Sequence, residues 1–259
     1  MSTTVIVDRT AWGRLRVSGS DRVRFLQGLT TVNVEQLADG GHGWGAILNP
    51  KGRVLSVINV ARIGEAFLIA CEPEIADKTK ALLERYAVMD DVTFEPITGP
   101  AHQIWESVVD VWRAPIIDGV NDHSRDDREP QVEAMRIHAG FVRYGVDVGE
   151  DNFPFETPLT QFLDYGKGCY VGQEPVFRVH SQGNSAKTLR GLVVDGQAPL
   201  AHGAPIKHPA KDNAGLVTSS VTHGDGTLAL GYLHRTCWTP GETVEIDGRR
   251  AVVRELPFE

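Results

Sequence analysis

Residues 167–174 read Lys-Gly-Cys-Tyr-Val-Gly-Gln-Glu, and this stretch carries the strongest indication of fold and function in the chain. Its glycines, Gly168 and Gly172, allow backbone angles that other residues disfavour and let the main chain approach a partner closely. Cys169 offers a thiol, and the positive charge of Lys167 two residues earlier favours the reactive thiolate. The stretch predicts either a ligand-binding loop with a functional cysteine or a glycine-rich turn with a buried cysteine and solvated charges.

After this stretch the chain changes to short β runs separated by turns. Apolar and β-branched residues are concentrated in five runs, at residues 189–194, 214–221, 228–233, 243–246 and 250–256. Asp225-Gly226 and Asp247-Gly248 stand where tight hairpins need residues that accept positive φ. No helical pattern separates the runs, so they predict a small antiparallel barrel or sandwich.

Before the stretch, strands and helices alternate. The predicted elements are a short helix within residues 18–28 with Ser18 or Ser20 as N-cap, a hairpin of strands 43–48 and 54–63, a strand at 66–71, a helix that begins at Pro73, and strands around 92–94 and 104–111. The hairpin turn at 49–52, Asn-Pro-Lys-Gly, ends on a glycine suited to positive φ. Residues 121–130 are almost wholly polar and predict a surface loop or hinge.

Composition places the chain among ordinary globular proteins. Hydrophobic residues make up 41% and charged residues 23% of 259 residues, enough for one large domain or two to three small ones. Lys and Arg number 26 against 34 Asp and Glu, a net charge of −8 that argues against a nucleic acid or an anionic membrane as the main partner. The start of the chain has no apolar run of signal-peptide length, and no run of ~18 apolar residues occurs anywhere, so we expect a cytoplasmic protein.

The three cysteines, Cys71, Cys169 and Cys237, lie far apart in sequence. Without a CxxC pair, the chain lacks the ligand spacing of a zinc ribbon or an iron–sulfur protein, and the odd count suits a reducing compartment. Cys71 falls in an apolar strand and is predicted to be a core residue, as is Cys237, for which a reactive pair with His234 is the alternative. The nine histidines show no HxxxH or HxH spacing, so we expect no metal site.

Residues 167–174 resemble the K-G-C-[YF]-x-G-Q-E motif that marks the YgfZ family, relatives of GcvT, the aminomethyltransferase of the glycine cleavage system. Three further stretches extend the resemblance over almost the whole chain. Residues 16–28 are similar to the family's opening, residues 48–55 to its glycine-arginine hairpin, and residues 136–156 to the segment that leads into the motif. The C-terminal β region is similar to the aminomethyltransferase barrel.

The resemblance implies an α+β fold, a GcvT-like ring of two α/β lobes with antiparallel sheets plus a C-terminal small β-barrel. We expect the lobes at residues 1–95 and 96–185 and the barrel at residues 186–259. The ring implies a central cleft that binds tetrahydrofolate or a derivative, and the YgfZ branch implies support of iron–sulfur cluster assembly or maintenance, including for enzymes that modify tRNA. The implied partners are folate and iron–sulfur assembly proteins or client enzymes, with no direct nucleic acid, no membrane and a monomeric state.

The resemblance makes Cys169 the functional thiol. It would bind a cluster transiently, ligate one jointly with a partner, or do redox chemistry. A folate is an amphipathic dianion, so its pterin needs hydrogen-bonding groups and its glutamate tail needs cations. The implied cofactor-binding residues are Lys167, Gly168, Tyr170, Gly172, Gln173, Glu174, Arg136, His138, Arg178 and Asn33.

Several residues depart from the aminomethyltransferase pattern. Aspartates common in those enzymes are replaced by Cys169, by Ser56 after the hairpin and by Asn33, and the arginine-x-glutamate near the pterin reads Arg136-Ile137-His138. Without these carboxylates no obvious group assists methylene transfer, which counts against a folate-dependent one-carbon transferase. That transferase and a folate-binding scaffold with a structural cysteine remain the two alternatives.

Overall fold

The computed structural model describes residues 4–126, 129–183 and 185–258. The strands are β1 Val5–Asp8, β2 Gly13–Ser18, β3 His42–Leu48, β4 Val54–Ile63, β5 Ala66–Cys71, β6 Thr93–Pro96, β7 Ala101–Trp105, β8 Ile117–Asp118, β9 Lys187–Asp195, β10 Pro205–His208, β11 Lys211–His223, β12 Gly226–His234, β13 Thr243–Ile246 and β14 Arg249–Arg254. The α-helices are α1 Arg22–Leu29, α2 Ala76–Tyr86, α3 Asp110–Arg113, α4 Pro130–Ala139 and α5 Gln173–Gln182. In these residues no helix is long and apolar enough to cross a membrane.

The first sheet has five antiparallel strands in the order β3-β4-β5-β2-β6. Its core joins apolar side chains of these strands with those of α1 and α2, among them Leu26, Ile58 and Leu83, each fully buried. Burying a side chain of this size contributes roughly 1.5–3 kcal/mol. The predicted hairpin is confirmed, with β3 and β4 joined by a turn in which Gly52 has φ +78°.

A second sheet has three strands in the order β1-β7-β8. Along the chain, α3 lies between β7 and β8, and α4 follows β8. The predicted strand at 104–111 is wrong beyond Trp105, because the Ser107 hydroxyl and the main-chain nitrogen of Glu106 both donate to the Asp110 carboxylate and turn the chain into α3. The polar stretch at 121–130 includes Arg125, which bridges to Val7, and Asp127 and Arg128 lie outside the described residues.

The C-terminal region forms a closed barrel in the order β10-β11-β12-β9-β14-β13. The barrel alternative is therefore confirmed over the sandwich, and β10 is a strand that sequence patterns missed because it has only four residues. Asp247 and Gly248, with φ of 51° and 73°, form the tight turn expected between the last two strands. The expected turn at Asp225-Gly226 is wrong by one residue, because Gly226 pairs with His223 and Gly224 takes the positive φ, at 56°. The α+β class is confirmed. The boundaries at 95/96 and 185/186 stay predictions, and β1 pairs with β7 across the first of them.

A central apolar cluster contains residues from both sheets and from the barrel. Trp44 is its aromatic centre, with ring contacts to Trp12, Trp112 and Phe141 at centroid distances of 6.0, 5.7 and 4.9 Å. The prediction that Trp105 and Trp112 are core residues is confirmed, since both are buried. One continuous core therefore joins the three parts of the molecule.

The helices differ from the predicted ones at three points. The N-cap of α1 is Asp21, because Ser20 instead donates its hydroxyl to Asp91 at 2.8 Å. Gly28 lies inside α1, which continues to Leu29. The second predicted helix begins as a 3-10 turn at Pro73–Ile75 and becomes α2 at Ala76.

Candidate functional site

The loop of residues 167–172, which we call the motif loop, leads into α5 and rests on the end of α1. The Gln27 side chain donates to the Lys167 carbonyl at 2.7 Å and accepts from the Val34 main chain at 2.9 Å. The main-chain nitrogen of Val171 donates to the Gly28 carbonyl at 3.0 Å. Gln27 was not predicted as a site residue, yet it fixes where the motif loop begins.

Lys167 is buried, and its amine donates to the carbonyls of Thr30 at 2.5 Å and Val32 at 2.6 Å. It also lies 5.1 Å from the centre of the Tyr170 ring. Burial lowers the pKa of Lys167 to about 7, because removing the amine from water disfavours its charged form. The Lys167 amine therefore makes these contacts inside the protein, and they hold the motif loop against the segment after α1.

Cys169 is exposed, whereas Cys71 and Cys237 are buried. Burial raises the pKa of Cys71 to about 11 and also raises that of Cys237, so both stay protonated thiols at neutral pH. The core assignments of Cys71 and Cys237 are confirmed. The interpretation of Cys169 as a buried packing residue is wrong, because the motif loop holds it at the surface.

Two glycines give the motif loop its shape. Gly168 and Gly172 have φ of +91° and +80°, a region that residues with side chains rarely adopt. A Cβ atom on Gly172 would lie 2.4 Å from the Asn49 carbonyl oxygen and 3.1 Å from the Gly52 Cα, so only glycine fits there. The hairpin turn at 49–52 and the motif loop, two stretches of the family resemblance, therefore touch through their main chains.

The residues after Cys169 close the motif loop and begin α5. Tyr170 is buried, and its hydroxyl has no hydrogen-bond partner among the described residues. Gln173 donates its side-chain amide to the Gly168 carbonyl at 3.0 Å. Glu174 and Arg178 are exposed along α5. Asp164, also missed at the sequence level, anchors the start of this region by accepting from Asn33 at 2.6 Å and from the Gly166 main chain at 2.7 Å.

Arg136 lies on α4 in a buried polar network. Its guanidinium bonds Asp147 and Glu133, each at 2.7 Å, and also the Ser219 hydroxyl at 2.7 Å. Asp147 in turn accepts from Thr218 and Ser219 of β11. Burial opposes the charged form of both groups, but the opposite charge of the partner favours it. The net effect raises the pKa of Arg136 and lowers the pKa of Asp147, so both stay charged. Arg136 thus joins α4 to the barrel.

His138 lies two residues further along α4 and lines a different cavity, together with His223 and Met135. Its ring is 6.5 Å from that of His223, and its Nδ1 has no partner among the described residues. Burial and then the neighbouring His223 lower the pKa of His138. Six of the predicted cofactor-binding residues therefore lie in or beside the motif loop and the start of α5: Asn33, Lys167, Gly168, Tyr170, Gly172 and Gln173. Arg136 and His138 contact other parts of the fold.

A pterin ring needs hydrogen-bonding atoms beside an apolar surface, and the central cluster offers both. The cluster includes Tyr170, Trp44 and Trp12. The Tyr170 hydroxyl and the Nε1 atoms of both tryptophans are buried and have no hydrogen-bond partner among the described residues. A buried donor without an acceptor costs about 1–3 kcal/mol, so a ligand that accepts from it gains that energy. By their unpartnered donors and apolar surroundings, these residues fit a folate ring. Lys167 and Arg136 already have partners within the chain.

The missing carboxylate at position 56 has a structural explanation. Ser56 is buried and its hydroxyl lies 2.7 Å from that of Thr79, on the side of the sheet covered by α2. The next residue, Val57, belongs to the central cluster. An apolar side chain therefore faces the centre at this point of β4.

In the described residues no group of three His, Cys, Asp or Glu side chains is arranged to hold a metal ion.

Comparisons with known proteins agree with this architecture. A family model described as the GCVT N-terminal domain matches residues 1–105. The tRNA-modifying protein YgfZ of Yersinia enterocolitica is 22% identical over 84% of this chain and 80% of its own length. An aminomethyltransferase of Halothermothrix orenii is 33% identical over 49% of this chain and 36% of its own length. The crystal structure of the glycine cleavage system aminomethyltransferase T from Bartonella henselae superposes with a TM-score of 0.82 at 18% identity, covering 100% of this chain and 87% of that one.

Proposed function

The chain belongs to the YgfZ family, and from that assignment we propose that it binds tetrahydrofolate or a derivative and supports iron–sulfur cluster assembly or maintenance through the thiol of Cys169. In this proposal it acts as a cytoplasmic monomer on iron–sulfur assembly proteins or client enzymes, including enzymes that modify tRNA. The observation that carries the proposal is the exposure of Cys169 on a loop whose conformation is fixed on both sides, while the other two cysteines are buried.

The surroundings of Cys169 support a thiol that meets a partner. Gln27 and Lys167 fix one side of the motif loop, and the contact of Gly172 with the hairpin turn fixes the other. A cysteine held in one place at the surface can be reached by a cluster or by another protein without rearrangement of the fold.

The folate part of the proposal rests on the central cluster. Tyr170 and Trp44 would donate hydrogen bonds to the pterin ring of the folate. When bound, a folate derivative would supply the one-carbon unit that it carries. Titration of the purified chain with tetrahydrofolate, followed by the quenching of tryptophan fluorescence, tests it. Tyr170→Phe removes only the unpartnered hydroxyl, so we expect it to fold normally and bind more weakly, by about fivefold or more. The absence of any binding by the unaltered chain would refute this part.

A folate-dependent one-carbon transferase is the second candidate, favoured by the likeness of fold to an aminomethyltransferase. Val57 and Ser56 leave the centre of the hairpin strand without a carboxylate to assist transfer. We therefore expect no turnover of an aminomethyl donor with tetrahydrofolate. Measurable turnover by the purified chain, lost in Tyr170→Phe, would favour the transferase. The scaffold alternative predicts that Cys169→Ser keeps both folate binding and cellular function.

A further inference from the structure

A cleft separate from the motif loop lies between the second lobe and the outside of the barrel. It encloses about 490 Å³, and residues 167–174 are not among those that line it. The second lobe contributes Val146, Asp151 and Asn152, and the barrel contributes residues of β9, β11 and β12. A volume of this size lies within the range of small-molecule sites.

Two lysines and two histidines line the cleft in a chain whose net charge is −8. Lys187, Lys211, His202 and His234 line it, and Asp151 is the carboxylate along its lining. Lys187 lies 3.9 Å from Glu156 and 4.8 Å from the Tyr232 ring centre. The two lysines therefore bring positive charge to one cleft, where an anion would bind favourably.

His234 lies beside these charges. Burial first, then the charges of Lys211 and Arg235, lower its pKa. Its Nδ1 lies 3.0 Å from the Thr236 hydroxyl and accepts from the Thr236 main-chain nitrogen at 3.3 Å. Nε2 is therefore the ring nitrogen left to donate to a ligand near Lys211. An N–H donor next to ammonium groups is the arrangement that binds phosphate oxygens.

Apolar surface adjoins the cations. Leu216 is 49% exposed and Val146 40% exposed, two of the nine large apolar side chains exposed among the described residues, and both line this cleft. Inorganic phosphate alone would leave them in contact with water. A ligand that carries an apolar or aromatic body as well as the anion would cover them, and each covered side chain would add to its affinity.

We propose that this cleft binds a phosphate ester with an aromatic or apolar body, about the size of a mononucleotide. Lys187, Lys211 and His234 hold the phosphate, and Leu216 and Val146 contact the body. The limited volume of the cleft, about 490 Å³, and the net negative charge of the chain favour such a small molecule over a nucleic acid strand. The proposal is independent of the folate and thiol functions.

The test uses the full chain and three probes, adenosine 5′-monophosphate, adenosine and inorganic phosphate, each titrated by calorimetry. We expect the monophosphate to bind most tightly. Lys211→Ala should weaken it by about tenfold, because a charge-assisted hydrogen bond is lost. Lys207→Ala makes the same change of charge on β10, and we expect it to bind as the unaltered chain does. Leu216→Ser should weaken the monophosphate but leave inorganic phosphate unchanged.

Three results would overturn the proposal. The first is equal binding of adenosine and its monophosphate, and the second is equal loss in Lys211→Ala and Lys207→Ala. The third is tighter binding of a five-nucleotide RNA than of the monophosphate, which would assign the cleft to nucleic acid. A fourth titration, with 5-formyltetrahydrofolate in excess, should leave the binding of the monophosphate unchanged. Full competition would instead make the cleft part of the folate site.

Discussion

Gly172 packs against Gly52 through main-chain atoms. A Cβ atom on Gly172 would come within 3.1 Å of the Gly52 Cα, and one on Gly52 within 3.2 Å of the Gly172 carbonyl oxygen. The two residues are 120 positions apart in sequence, yet neither can carry a side chain without moving the other. The conformation of the loop that holds Cys169 therefore depends on the hairpin turn between β3 and β4.

Gly172→Ala should lower the free energy of unfolding by about 2–4 kcal/mol, the sum of a positive-φ cost and a collision with fixed main chain. Chemical denaturation measures the loss. Gly64→Ala is the matched control, because Gly64 also has positive φ, at +55°, but a Cβ atom there would meet nothing within 4 Å. It should cost about 1 kcal/mol. Equal losses in the two variants would show that the contact with the turn has no energetic weight.

The native chain should react with a thiol reagent at one site. Cys169 is exposed, and the two buried cysteines have raised pKa values that disfavour the reactive thiolate. We expect one rapidly modified thiol per chain with a disulfide reagent such as Ellman's, three after denaturation, and no rapid reaction in Cys169→Ser. Rapid modification of two thiols in the native chain would contradict the burial of Cys71 and Cys237.

Asp147→Asn should destabilise the chain by about 2–3 kcal/mol, because it removes one of the two carboxylates that pair with the buried Arg136 guanidinium and leaves only Glu133. The control is Glu84→Gln, which breaks the ion pair with Lys80, where the two side chains are 53% and 41% exposed. We expect that variant to lose less than about 1 kcal/mol. Similar thermal unfolding of the two variants would mean that the buried network does not join α4 to the barrel in the way described above.

Glu72 should make stability depend on pH. Its side chain is buried and accepts from the Tyr144 main chain at 2.6 Å, and burial raises its pKa from 4.5 to about 7. The folded chain then keeps a proton that the unfolded chain has released. The free energy of unfolding therefore falls as pH rises from 4.5 to about 7, by up to roughly 3 kcal/mol, and stays level above that range.

Glu72→Gln should remove this decline, and Glu65→Gln, at a carboxylate whose side chain is 89% exposed, serves as control for the change of charge. Urea unfolding at pH 5, 6, 7 and 8 gives the comparison. If the unaltered chain and Glu72→Gln showed the same dependence between pH 5 and 7, the carboxyl of Glu72 would not be protonated in the folded state.

Much of the fold could be predicted from local sequence. The β3–β4 hairpin has a turn whose glycine requires positive φ, and the last two barrel strands are joined by the Asp247-Gly248 turn, so both follow from short-range rules. The short strand β10 and the helix α3 could not be predicted. β10 is set by its pairing with β11 and β13, and α3 by the side-chain contacts of Asp110.

The site was predicted less completely, for a physical reason. Residue type suggested that Lys167 and Arg136 would meet a ligand, but burial gives each of them partners inside the chain, and burial depends on tertiary contacts. Gln27, Asp164 and Glu72 carried no signal in sequence because their partners lie 140, 131 and 72 positions away. The structure confirms the predicted burial of Cys71 and Cys237 and shows that Cys169 is exposed, while the functional role of Cys169 stays a prediction.

The most direct test of the proposed function is the activity of an iron–sulfur enzyme in cells that lack a YgfZ protein and express this chain or its variants. We predict that the unaltered chain restores the activity and that Cys169→Ser does not, although the variant folds and binds tetrahydrofolate as the unaltered chain does. Gly64→Ala, which alters a surface turn, should restore it. Full restoration by Cys169→Ser at equal protein levels would contradict the claim that this thiol carries the function.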